Sequence, residues 1–149
     1  DQEFVQSGDQ LPYLIYSEKT HPLTNSRAKW NWDYLSNEII SAYPGPEFDL
    51  LSLDQKLQLE NQEFTISQLK NGMAVQLKEL LPNQLGSIYT APVFPGTVQL
   101  THGGKIICLL QDAQVTGGYP RILQIHEDDL KIIAQKKPNQ KIRFQLITS

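Results

Sequence analysis

Cysteine occurs once in this sequence of 149 residues, so no internal disulfide forms and the fold rests on burial alone. That residue, Cys108, sits in Ile106-Ile107-Cys108-Leu109-Leu110, which reads as a buried strand with an inert core thiol. Long hydrophobic runs are missing too: five apolar residues in a row fall far short of the roughly 20 that a membrane-spanning helix needs. Neither charge sign dominates. Thirteen Lys and Arg against sixteen Asp and Glu leave a formal net charge of -3, which offers nucleic acid or an anionic membrane surface little attraction. The nearest approach to a basic run, Lys136-Lys137 with Lys141 and Arg143, is interrupted by Pro138 and Asn139 and decorates a helix end and a strand face. A glycine-rich phosphate loop of the Walker type is absent, so any nucleotide is expected on another chain. His21, His102 and His126 stand far apart and none shows metal-ligand spacing, so no metal site is read. His102, in Thr101-His102-Gly103-Gly104, reads as a hairpin-turn residue. No signal peptide is visible. Asp1 opens the sequence, which suggests a processed or truncated chain, and a reducing, cytoplasmic setting is the expectation.

What is present suits one domain, and a chain of this length buries roughly 70% of its unfolded surface. Gly8-Asp9-Gln10 turns into a short strand at Leu11–Tyr16, and the unpatterned Ser17–Trp32 reads as a loop in which Trp30 and Trp32 serve as packing anchors. Residues 1–37 are taken as the tail of a preceding lobe and a linker, and residues 38–149 as a barrel domain. A strand over Glu38–Tyr43 stops at Pro44-Gly45-Pro46. Ser52-Leu53-Asp54-Gln55 matches a capping box, in which Ser and Gln satisfy each other's backbone N–H, so a short helix is predicted from Ser52 to about Glu60. Its sparse apolar positions, Leu53, Leu57 and Leu59, make it peripheral. Strand signals then recur at Phe64–Ile66, Ala74–Leu77, Ser87–Tyr89, Thr97–Leu100, Lys105–Gln111, Ile122–His126 and Lys141–Ile147. The last alternates cleanly, Ile142, Phe144 and Leu146 against Lys141, Arg143 and Gln145. A second helix is predicted over Asp128–Lys136, acidic in its first turn and basic at its end, as the macrodipole favours. The expected fold is mainly β, a closed barrel with two short α-helices.

Two segments carry candidate chemistry. In Pro92-Val93-Phe94-Pro95-Gly96-Thr97-Val98-Gln99 the prolines stiffen the approach, Gly96 permits a turn that a Cβ would hinder, and the strand presents Thr97 and Gln99 on one face. In Asp112-Ala113-Gln114-Val115-Thr116-Gly117-Gly118-Tyr119-Pro120-Arg121 an apolar strand runs into polar residues and a double glycine. Asp112, Gln114 and Thr116 supply hydrogen-bonding groups, Gly117 and Gly118 allow close backbone approach, and Arg121 offers a cation suited to a carboxylate. The residues alone leave two readings open: a wide turn with Tyr119 packed on the barrel, or a functional lip at a strand end. No catalytic residue is identified.

Both segments resemble motifs of the family that unites allophanate hydrolase subunit 2, the KipA-like proteins and the 5-oxoprolinase C-subunit, of the form PVxPGTxQ and D-R/A-Q-T-T-G-G-Y-P. Asp129-Leu130-Lys131-Ile132-Ile133-Ala134-Gln135 resembles the family's DLxxLAQ helix, and Tyr43-Pro44-Gly45-Pro46-Glu47-Phe48-Asp49 its PGPxxD segment. The resemblance implies a cyclophilin-like β-barrel that forms the C-terminal lobe of a carboxyltransferase-like subunit. It implies work with a subunit-1 (KipI-like) partner on a small amide or lactam, within an ATP-dependent 5-oxoprolinase or allophanate hydrolase-type complex, or else a regulatory module of KipA type that antagonises a kinase inhibitor. No cofactor is expected on this chain itself, ATP or biotin being held by partner subunits, and the isolated chain is expected to be inactive. Thr97, Gln99, Asp112, Gln114, Thr116, Gly117, Gly118, Tyr119 and Arg121 are the implied substrate-binding set. The sequence departs from the family at its R-M-G-x-R-L stretch, where Gly72 and Gln76 replace both arginines, and at Val115, which replaces a threonine. Arginines lost from a carboxylate site remove about 1.5–3 kcal/mol each.

Overall fold

The computed structural model describes residues 33–147. The expected strand at Leu11–Tyr16, the loop to Trp32, Trp30 and His21 lie outside the described residues. After a 3-10 turn at Asp33–Ser36, the elements are β1 (Ile39–Pro44), α1 (Leu53–Asn61), β2 (Phe64–Lys70), β3 (Ala74–Leu80), β4 (Ala91–Pro92) and β5 (Thr97–Leu100), followed by β6 (Lys105–Leu109), β7 (Thr116–Gly117), β8 (Arg121–Ile125), α2 (Glu127–Gln135) and β9 (Lys141–Leu146). Seven strands close a barrel in the order β1-β8-β5-β6-β3-β2-β9, and β4 and β7 form a separate two-stranded sheet. All barrel pairings are antiparallel except the β1–β9 seam, which is parallel. Closure leaves no barrel strand with an unpaired edge.

Alternation sorts the side chains. Along β9, Ile142 and Phe144 are buried while Lys141 and Arg143 face outward, where both bond the Glu63 carboxylate. Phe144 meets Phe64 of β2 with ring centroids 5.5 Å apart. Val75, Leu77, Val98, Leu100, Ile106 and Leu123 join them in one interior cluster. Each such fully buried side chain contributes about 1.5–3 kcal/mol of transfer free energy. Cys108 lies in the same cluster, and burial pushes its thiol pKa up to about 12.

α1 is set by its capping box. Ser52 Oγ accepts from Gln55 N at 3.3 Å, and Gln55 Oε1 accepts from Ser52 N at 2.8 Å. Gln55 Nε2 also donates to the Pro82 carbonyl at 2.7 Å, fastening the helix start to the loop after β3. Only Leu59 of its leucines is buried, which leaves α1 on the periphery. α2 begins one residue earlier than expected, because His126 is its N-cap: Nδ1 accepts from Asp128 N at 3.2 Å. Asp129 accepts from Ser41 N at 2.7 Å and so ties α2 to β1. The cation at its C-terminus differs from expectation. Lys70 of β2 donates to the Ala134 carbonyl at 2.7 Å and to that of Lys136, whereas Lys136 is itself the C-cap with its side chain buried. Desolvation holds the Lys70 amine below its ordinary pKa.

One expected strand does not form. Ser87–Tyr89 lies in an extended loop with no strand assignment, bonded to its surroundings through Ile88 N, which donates to Gly118 O at 2.9 Å. Tyr89 is 98% exposed, so burial gives this stretch no reason to add a rung.

Removing the helix cap with Ser52→Ala is expected to cost about 1 kcal/mol, read as a lower urea midpoint. The single thiol should stay unlabelled by a thiol reagent in the native protein and label fully in denaturant; fast native labelling would contradict its burial.

Candidate functional site

The two motif segments meet on the outer wall of the barrel. β5 is buried on both faces: Val98 and Leu100 point into the core, Thr97 and Gln99 outward. Register places Gln99 beside Arg121 of β8 on one side and Ile107 of β6 on the other, and Ile107 beside Gln76 of β3. One outward row therefore crosses four strands as Arg121, Gln99, Ile107 and Gln76. Above it lies a lip, the β4–β7 sheet, with Ala91 paired to Gly117 and Pro92 to Thr116. Val93 N donates to Val115 O at 3.0 Å, and the Ile88–Gly118 bond extends the same ladder.

Arg121 fixes the root of this lip. Its Nε and Nη2 donate to the two oxygens of Glu47 at 2.9 and 2.7 Å, and its Nη1 donates to the Pro92 carbonyl at 2.9 Å. Glu47 Oε2 also accepts from Arg121 N at 2.8 Å. Arg121 thus finds a carboxylate, as its chemistry suggests, but the carboxylate belongs to the chain. Glu47 reaches it because β1 ends in Pro44-Gly45-Pro46. A Cβ at Gly45 would lie 2.2 Å from the Arg121 carbonyl, so only glycine lets the turn press against β8. The Arg121 guanidinium holds the Glu47 carboxyl below the usual glutamate range.

Thr97 serves the first motif internally. Its hydroxyl donates to Gln124 Oε1 at 3.0 Å and accepts from Phe94 N at 3.1 Å, while Gln124 Nε2 donates to the Pro95 carbonyl at 2.9 Å. Gly96 makes the intervening turn with φ +89°, in the left-handed region a side chain disfavours. Gln99 differs. It is 2% exposed, and its Nε2 is buried without a hydrogen-bond partner among the described residues. A Cβ on Gly117 would stand 2.5 Å from that nitrogen, so β7 rests directly on the amide.

The remaining candidates lie along the segment between β6 and β8. Asp112, Gln114 and Thr116 are exposed, as are Tyr119 and its apolar neighbours Tyr89, Phe94 and Val115. Gly118 is half-buried, and a Cβ there would make only an ordinary contact. Asp112 sits over Gly72, where a Cβ would be 2.4 Å from Oδ2. Gly72 lies under Asp112 and Gln76 in the row of Gln99, so both positions fall beside candidate residues. Sequence reasoning missed Glu47 and Gln124; the PGP segment marked the turn that delivers Glu47 but not its target. Open recesses elsewhere on the described surface include one of about 550 Å³ beside Ser52, Gln55 and Pro82–Leu85 and one of about 540 Å³ along α2. No three His, Cys, Asp or Glu side chains gather into a metal site among the described residues.

Glu47→Gln keeps the shape and removes the charge, and is expected to cost about 2 kcal/mol at neutral pH, some solvent access keeping it from the top of the range. The lowered carboxyl contributes fully above the ordinary glutamate value of 4.5 and loses that contribution as pH falls through its depressed folded value. Urea titrations across the acid range should show a shallower acid limb in the variant; an identical limb would remove the pair from the stability account.

A family model described as carboxyltransferase domain, subdomain A and B, matches residues 2–146. The chain is 31% identical over 142 residues to the 5-oxoprolinase C-subunit of Escherichia coli K12, covering 94% of this chain and 44% of that protein. It is 26% identical over 118 residues to the protein of the same name from Haemophilus influenzae, covering 74% and 37%. It therefore spans less than half the length of these relatives. Among solved structures, Kluyveromyces lactis urea carboxylase superposes with a TM-score of 0.69 at 17% identity, over 76% of this chain and 11% of that one, a likeness of fold. With the barrel, the lip and nearly every residue of the sequence inside that match, the chain belongs to the carboxyltransferase-domain family, subdomain A and B.

Proposed function

We propose that this chain is the carboxyltransferase-like lobe of a 5-oxoprolinase-type subunit, which acts on a small amide or lactam together with a subunit-1 (KipI-like) partner. The observation that carries this reading is the convergence of both motif segments on one lip above a polar row of the barrel wall. The name borne by the two curated relatives supports the substrate class. In this reading ATP or biotin is held by partner subunits, and the exposed Tyr89, Phe94, Val115 and Tyr119 along the rim suit a docked partner. A cytoplasmic setting belongs to the same reading. In this reading the lobe on its own is inactive, because its site is completed by another lobe and Arg121 is already paired with Glu47.

One observation favours a second reading, a regulatory module of KipA type. Gly72 and Gln76 carry no charge, so the family's arginine positions beside the lip offer no cation to an anionic substrate.

Reconstitution separates the two. The chain mixed with its partner subunits should release glutamate from 5-oxoproline in an ATP-dependent reaction, and the chain alone should not. Asp112→Ala should lower kcat/KM roughly 10- to 100-fold if the carboxylate bonds the substrate. Tight partner binding without turnover would favour the regulatory reading.

A further inference from the structure

Buried polar groups in folded proteins are almost always paired, because a donor removed from water without an acceptor keeps its desolvation cost. Gln99 Nε2 is buried and unpaired among the described residues. A leucine of similar size would fill the same space without that cost. The amide is closed in by Gly117, and the absence of a side chain there is what lets β7 lie on it.

On the β6 side the row that holds the amide is uncharged. In the outward row Gln99 is followed by Ile107 and then Gln76. Neighbouring strands are about 4.8 Å apart, so the two glutamines spring from points roughly 10 Å apart with an apolar floor between them. On the other side, Arg121 is neutralised by Glu47. A neutral carbonyl placed on this floor needs one donor, which the unpaired amide supplies, and the exposed cation Lys105 stands one outward position along β6 from Ile107.

The roof has one fixed side and one lightly held side. β4 is fastened to the barrel by Arg121 through Pro92 and by Gln124 through Pro95. Residues 111–119 are joined to that side by the short ladder around β7. The segment is pinned at its ends, where Leu110 N donates to Met73 O at 2.8 Å and Leu100 N donates to Pro120 O at 3.0 Å.

We propose that Gln99 donates its free amide N–H to the carbonyl oxygen of a neutral amide or lactam seated on Ile107 between Gln99 and Gln76, admitted when residues 111–119 lift from β5. This rests on the reading of the lip as ligand-binding and names the group that the lip recognises.

Side-chain amide resonances of the full 149-residue, nitrogen-15-labelled chain test it. The Gln99 pair is identified by its disappearance in Gln99→Leu. Titration with 2-pyrrolidinone, a neutral lactam, should shift that pair, and acetate, a carboxylate without an amide, should not. Gln99→Leu should weaken 2-pyrrolidinone binding at least tenfold while its Tm stays equal or rises, since the variant removes an unpaired donor. A fall in Tm with unchanged binding would assign Gln99 a structural role and overturn the proposal, as would a response to acetate alone. Gly117→Ala, which keeps Gln99 and presses a methyl on its amide, should also shift the resonance and weaken binding. If 2-pyrrolidinone moves the Gln99 signal but the reconstituted assembly leaves 5-oxoproline intact, the carbonyl site stands and the proposed function fails. If the assembly opens 5-oxoproline and no ligand moves the signal, the function stands and this site fails.

Discussion

The bidentate pair between Glu47 and Arg121 holds together parts of the fold that share no sequence neighbourhood. One guanidinium spans the end of β1, the start of β8 and the carbonyl of Pro92. With each N–H aimed at a fixed acceptor, the planar fork sets the angle at which β4 leaves the wall, and hence the height of the lip over Gln99. Gly45 makes the pair possible by admitting the turn against the β8 backbone. Thr97 and Gln124 repeat the device on a smaller scale around Gly96. Residues with the chemistry of ligand contacts are thus engaged in building the rim, and Gln99 is left as the unengaged polar group beneath it.

That division bears on what an uncharged lip can bind. Position 72 underlies Asp112 and position 76 continues the row of Gln99, so arginines there would flank the lip from two sides. With Gly72 and Gln76 in place, neither position adds a cation, and the row from Gln99 through Ile107 to Gln76 is uncharged. The stretch of wall from Gln99 to Gln76 is then shaped for hydrogen bonding more than for charge pairing.

Much of the architecture was legible from local pattern. The capping box of α1 holds in both directions, and β9 buries the residues its alternation marks, because both signals depend on neighbours a few positions away. The barrel, read from short strands at regular spacing and from the family resemblance, is the fold observed. What escaped reading depends on distance in the chain. Glu47 and Arg121 are 74 residues apart, and no periodicity joins them. β4 and β7 are two residues each, too short to show a period, whereas Ser87–Tyr89 had the composition of a strand but carries only the Ile88–Gly118 backbone bond and forms no strand. That Gln99 is unpaired is a property of what surrounds it, invisible in a motif that says only where it stands.

The parallel seam has a kinetic side. Ile39 of β1 lies across from Arg143 of β9, so the contact that shuts the cylinder joins segments that emerge from the ribosome far apart in time. Until β9 arrives, β1 and β2 each keep a free edge and the aromatic pair Phe64–Phe144 lacks one member. Such long-range closure slows folding and lengthens the interval in which sticky strand edges are open to other chains. A nascent copy of this domain is therefore most in need of chaperone cover just before its final strand is made.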